Sequence, residues 1–164
     1  MERKGDKEMK LTKAATEILS KMDYRFYHVD NKGIGYTYYS DGFILFRYPG
    51  KLESIPLDQA KERDFTFLFA EKYNYQAEKK AIFKKELKGK ERVLFSEGKQ
   101  LVNAYYIRQV FAILGSCPIF FPSMVNRFNP VYVTNDPCEP GWEAIILPMR
   151  YDERAIPEDK WLIL

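Results

Sequence analysis

Between Arg25 and Tyr48 three short aromatic and β-branched runs are separated by two glycine-bearing turns, and this pattern limits the fold more than any other feature of the chain. The runs are Arg25–Val29, Ile34–Tyr39 and Phe43–Tyr48; the turns are Asp30-Asn31-Lys32-Gly33 and Ser40-Asp41-Gly42, with Pro49-Gly50 closing the series. Glycine and Asp/Asn supply the backbone angles of tight reversals, so runs spaced this way predict an antiparallel meander. A helix is predicted just before it. From Thr12, a plausible N-cap, the apolar positions Ala15, Ile18, Leu19 and Met22 recur at helical spacing, while Lys13, Glu17 and Lys21 form an i,i+4 row on another face.

The same order returns in the second half. Asn103 is placed to cap a helix whose predicted apolar face is Ile107, Val110, Phe111 and Leu114, with Arg108, Gln109 and Ala112 pointing elsewhere and Gly115 ending it. Three strand-like runs follow, Ile119–Phe121, Pro130–Thr134 and Trp142–Met149. Helix plus three strands thus occurs twice, a repeat of elements without residue identity. With 12 Tyr and 12 Phe among 164 residues, side chains that suit a pleated surface abound, and the predicted class is α+β.

Residues 51–98 follow neither pattern. Pro56 is read as opening a short helix, Phe65–Phe69 as a strand, and Ala77–Lys88 as a basic helix stopped by Gly89. From Lys79 to Arg92 seven basic residues outnumber Glu86 and Glu91, a local positive segment in a chain whose net charge is only +3. That overall charge is too small to announce a nucleic-acid binder.

No apolar run approaches the roughly 20 residues that cross a bilayer, and the opening MERKGDKEMK has no apolar stretch behind its charges, so the expected location is the cytoplasm. There the two cysteines, Cys117 and Cys138, are expected to stay reduced, as core or loop residues. Catalytic signatures are missing from the sequence. His28, the single histidine, lies in a strand-like run with no spaced metal-ligand partners, Gly33-Ile34-Gly35 falls inside a hairpin, and Glu62/Asp64 and Asp152/Glu153 read as surface charges. The expectation is a non-enzyme with no catalytic residues, no metal site and no cofactor.

The C-terminal segments carry a resemblance. Tyr106–Leu114, Phe128–Val133 and Ile145-Ile146-Leu147-Pro148-Met149-Arg150-Tyr151 resemble the closing helix, middle segment and final strand of the bacterial DNA polymerase III β subunits, the sliding clamps, which end in a "(V/I)MPMRL" signature. "YYSDGFILFR" in the first half is similar to that family's "ATDGYRLAR". The resemblance covers about residues 10–50 and 100–151 and leaves the middle unexplained. It implies a single DNA-clamp-like domain over 1–151, with helices on one face of the sheet, followed by a tail, 152–164. A clamp subunit carries two or three such domains, so a ring built from this chain would require a homo-oligomer.

What the resemblance implies about function is twofold. Helix-borne cations would meet the phosphates of duplex DNA, for which Lys10, Lys13, Lys21 and Arg108 are the candidates. An apolar pocket along the last strand would hold short segments of DNA polymerases or other clamp-binding-motif proteins, which carries over to Ile145 and Leu147 with Pro148 and Met149 adjacent. The expected role is a clamp-like, processivity-factor-like protein of DNA replication or repair; the alternative is an interaction module that keeps the fold without encircling DNA. Residue types alone leave Lys13, Lys21 and Arg108 as solvated helix faces and Ile145 and Leu147 as core of an edge strand. The apolar end of the tail, Trp161-Leu162-Ile163-Leu164, calls for a docking place, either the pocket or the sheet.

Overall fold

A computed structural model describes residues 11–69, 81–87, 90–95, 98–136, 141–151 and 162–163. The N-terminal helix α1 spans Lys13–Ser20, and Thr12 caps it, its hydroxyl accepting the Ala15 amide at 3.1 Å. The meander follows as β1 (Tyr24–Val29), β2 (Gly35–Ser40) and β3 (Ile44–Pro49). Gly33 and Gly42 take φ of 81° and 95° in its two turns, a region open to glycine and strained for other residues.

The middle departs from expectation in two places. Phe65–Phe69 is not a strand: Thr66–Phe69 is a single 3₁₀ turn, which lays Leu68 and Phe69 on the sheet instead of extending it. The basic segment is not a helix either, since Ala81–Leu87 is strand β4, paired antiparallel with β5 (Lys90–Phe95). Its lysine-rich composition is compatible with a helix in isolation, but the neighbouring strand satisfies the backbone and decides the outcome. Residues 77–80 lie outside the described ones. The short helix expected at Pro56 is a 3₁₀ turn at Gln59–Lys61.

Strand β6 (Leu101–Asn103) leads directly into helix α2 (Ala104–Leu114), because Asn103 ends the strand and caps the helix, accepting the Tyr105 amide at 3.0 Å. Gly115 closes it with φ of 98°. Two predicted positions on α2 exchange places: Phe111 is 45% exposed, whereas Gln109 is 5% exposed. The helix turns its buried stripe towards α1 and the sheet, and that rotation carries Gln109 in and Phe111 out. Strands β7 (Ile119–Pro122), β8 (Val131–Thr134) and β9 (Glu143–Ile146) complete the second set. The last is shorter than the Trp142–Met149 expected.

The two sets join through their third strands. The six-stranded sheet runs β1-β2-β3-β9-β8-β7, all antiparallel, with Ile44 opposite Ile146 and Arg47 opposite Glu143 at the central seam. Strand β9 is therefore central and not an edge. One face of the sheet packs on both helices: Tyr39, Ile44, Phe46, Val131, Val133, Trp142, Ala144 and Ile146 share a core with Ala15 and Leu19 of α1 and Ile107, Val110 and Leu114 of α2. Val93, Phe95 and Val102 of the second sheet, in which β5 lies between β4 and β6, enter the same core.

Pairing answers what the tail does. Strand β10 (Leu162–Ile163) adds to the edge of β4, Leu162 opposite Phe83 and Ile163 opposite Ile82, so this part of the tail docks on the second sheet. Trp161 and Leu164 lie outside the described residues. Among the described residues no helix is long and apolar enough to cross a membrane.

Candidate functional site

The sheet face opposite the helices is covered by residues 58–69, which cross it as a strap. At the outer strand the Asp58 amide donates to the Arg25 carbonyl at 2.6 Å, and the Gln59 side-chain amide accepts the Tyr27 N–H at 2.6 Å and donates to the Tyr27 carbonyl at 3.0 Å. One side chain thus imitates a neighbouring strand and blunts that edge. Further along, His28 is held by two carboxylates, its Nδ1 2.6 Å from Glu62 and its Nε2 3.6 Å from Asp64. Phe65 then meets Tyr24, Phe26 and Tyr38, with centroids 6.2, 5.7 and 6.3 Å away.

At its far end the strap is anchored by a buried charge. The Arg47 guanidinium lies between the rings of Tyr36 and Phe69, 4.0 and 3.8 Å from their centroids, and its Nε donates to Glu143 at 2.7 Å. Glu143 also accepts from the Tyr132 hydroxyl. Burial opposes the Arg47 charge, but the Glu143 hydrogen bond and charge outweigh it and raise the Arg47 pKa above its ordinary value. Burial, and then the Glu143 charge, push the Tyr132 hydroxyl well above the usual tyrosine range, and burial raises Tyr36 against the opposing charge of Arg47.

The sign of these tyrosine shifts has a consequence for stability. The native state holds the protons more tightly than the unfolded chain, so the contribution is whole below the ordinary tyrosine value of 10.0 and is lost as pH rises through the higher folded values. The urea midpoint is expected to fall between about pH 9 and about pH 11. A midpoint that stays flat over that range contradicts the account.

Between strap and sheet, at the end of β9, lies an apolar cavity of about 310 Å³. Leu45 and Ile145 form its floor, Phe65 and Leu68 of the strap one wall, Tyr24 another, and Phe43 and Leu147 its rim. The rim is open, with Phe43 61% and Leu147 41% exposed, while Ile145 below is 1% exposed. Chain path explains the opening. The Leu147 amide makes the last sheet bond, to the Phe43 carbonyl at 2.9 Å; Pro148 has no N–H to continue it; and the Met149 amide donates instead to Leu101 of β6 at 2.7 Å. The proline is the step from one sheet to the other, and it leaves Leu147 beside the gap.

Of the four residues expected at a pocket, Ile145 and Leu147 line the cavity and Pro148 and Met149 do not. Phe43, Phe65, Leu68 and Tyr24 line it as well; the sequence places Phe43 only at the start of a strand-like run after a turn glycine, and its exposure is a product of the fold. Of the four expected cations, Lys10 lies outside the described residues. Lys13 and Lys21 are exposed on and just after α1 with Glu17 between them, and Arg108 is ion-paired with Glu91 at 2.9 Å. The helical face therefore mixes both signs. Cys117 is exposed with a free thiol, and Cys138 lies outside the described residues. Among the described residues no three His, Cys, Asp or Glu side chains group as metal ligands.

Searches against family models, curated proteins and solved structures find no match to this chain.

Proposed function

We propose that the protein is a non-enzymatic binding module that receives an apolar side chain of a partner protein in the cavity between Ile145, Leu147 and the strap. The single observation that carries this reading is an open apolar cavity rimmed by two exposed hydrophobic side chains, Phe43 and Leu147, at a strand end where the backbone leaves the sheet. The described end of the chain's own tail pairs with β4, which favours an occupant supplied in trans. A setting in DNA replication or repair, with polymerases or other clamp-binding proteins as partners, rests on the resemblance of residues 106–114, 128–133 and 145–151 to the sliding clamps.

The test is selection of a random peptide library on the immobilised protein, followed by affinity measurement against Leu147→Asp. Selected peptides should carry Leu, Ile or Phe anchors and bind the variant at least about tenfold more weakly, because a carboxylate at the rim meets a desolvated anchor. The variant's melting temperature should hold, since Leu147 is already 41% exposed. Equal binding to both proteins, or no enrichment, rejects the cavity as the site.

A second reading is duplex DNA association through the helical face, supported by the exposed Lys13 and Lys21 and opposed by Glu17 and the Arg108–Glu91 pair. Light scattering with and without circular duplex DNA separates the two. A ring-forming oligomer retained on circles and lost after linearisation supports DNA encirclement, and a species indifferent to DNA leaves the partner-binding role.

A further inference from the structure

We propose that the loop joining β7 to β8, residues 123–130, seats Met124, Val125 and Phe128 in the interface of an anionic lipid bilayer, while Lys99, Arg127 and Arg150 meet the headgroups. This surface is separate from the apolar cavity and shares none of its lining residues.

The loop turns its large apolar side chains outward. Val125, Phe128 and Met124 are 56%, 51% and 36% exposed, all within five consecutive positions. None of them packs into a hydrophobic cluster of the fold, so their exposure is not the overflow of a core. Single exposed hydrophobic residues are ordinary, but a group of them marks a contact surface.

The backbone beneath these side chains is closed on itself. Gln100, fully buried at the entry to β6, donates its Nε2 to the Ser123 and Asn126 carbonyls at 2.7 and 3.2 Å. The Ser123 amide donates to the Pro130 carbonyl at 3.3 Å and the Asn129 amide to the Asn126 carbonyl at 3.2 Å. The Val125 amide donates to the Ser123 hydroxyl at 3.3 Å, and the Phe128 amide to the Asn126 side-chain carbonyl at 2.8 Å. A loop that enters a phase without water needs its polar backbone satisfied from within. Protein interfaces instead carry hydrogen bonds across them, so this closure favours lipid over a protein partner.

Cations stand beside the apolar group. The Arg127 guanidinium lies 5.1 Å from the Phe128 ring centroid and 4.6 Å from that of Tyr151, and Arg150 lies 5.6 Å from Phe128. Exposed Lys99 is tied to the same group, its carbonyl accepting the Tyr151 hydroxyl at 2.8 Å. Among the described residues neither Lys99 nor Arg150 forms an ion pair. From Gln100 to Asn135 the chain has no carboxylate side chain at all. Asp152 and Glu153 follow Tyr151 in the sequence, so the surplus of positive charge is modest and the apolar side chains carry most of the affinity. Apolar insertion joined to attraction for anionic headgroups is how interfacial anchors hold a bilayer.

The test is flotation of the full chain with vesicles of phosphatidylcholine alone and of phosphatidylcholine with about one-third phosphatidylserine. Partitioning onto the anionic vesicles should exceed that onto the neutral ones at least about fivefold and should decline with added salt. The double variant Val125→Asp/Phe128→Asp should reduce it at least about tenfold, and Arg150→Gln about three- to fivefold. These positions are exposed, so melting temperatures should match the parent, and the double variant should keep the peptide affinity of the cavity, which neither residue lines. Phe128→Trp reads depth directly: its added emission should shift to the blue on anionic vesicles and be quenched by brominated acyl chains. Equal partitioning of the parent and the double variant, or equal partitioning onto neutral and anionic vesicles, overturns the proposal. Absence of partitioning onto either vesicle also overturns it and leaves the loop as a protein contact.

Discussion

Replacing Glu143 by alanine is expected to destabilise the fold by about 3–5 kcal/mol, because it leaves a buried guanidinium without its counter-ion. Arg47 is 8% exposed and has Glu143 at 2.7 Å, and the same carboxylate accepts from Tyr132, so a single substitution strands a charge and a hydroxyl together. The pair is not a simple source of stability. Desolvating both ions costs much of what their attraction returns, and the double variant Arg47→Met/Glu143→Leu should therefore cost far less than Glu143→Ala alone. Urea unfolding of the single and double variants measures both terms. A loss below about 1 kcal/mol for Glu143→Ala would mean that water reaches the guanidinium and that the strap is not anchored as described.

Trp142→Ala is expected to cost a similar amount, about 3–5 kcal/mol, by a different mechanism. Trp142 is fully buried at the start of β9, with Tyr48 and Tyr39 at 5.2 and 6.2 Å between ring centroids. Removing the indole leaves a void on the helix side of the sheet, at the seam where the two sets of strands meet, and large rings on both sides limit how far the site can collapse. Trp142→Phe should recover more than half of the loss. Calorimetric melting of both variants checks it, and a Trp142→Ala protein within about 1 kcal/mol of the parent would show that the seam repacks freely.

Local hydrogen bonding explains what was legible in the sequence. Thr12 and Asn103 cap helices and Asp41-Gly42 turns the chain by contacts within four residues, so α1, α2 and the strands of both meanders could be read from short windows. Phe65–Phe69 misleads because its aromatic run suits a strand, yet its rings are drawn onto the sheet by Tyr24, Phe26 and Tyr38, about 30 to 40 positions earlier. The basic segment misleads for the opposite reason, since the partner that makes Ala81–Leu87 a strand is β5. Only Ile145 and Leu147, two of the ten residues that line the cavity, come from the resemblance of the final strand. Phe65, Leu68 and Phe43 join them only once the strap crosses the sheet. The Arg47–Glu143 pair, 96 positions apart, leaves no local trace.

The central seam also sets how the molecule comes into being. β1, β2 and β3 meet their neighbours across turns of a few residues, and β7 meets β8 across the eight residues 123–130, whereas β3 and β9 join segments roughly a hundred positions apart. Each three-stranded set can search for its own register on its own, but Ile44 finds Ile146 only after a long loop has closed. Closing the β3–β9 seam, with the Arg47–Glu143 pair and Trp142 at the junction, is then expected to be the slow event in folding. The strap that walls the cavity crosses both halves, from Arg25 and Tyr27 of β1 to Tyr132 of β8, so the binding surface is among the last features to form.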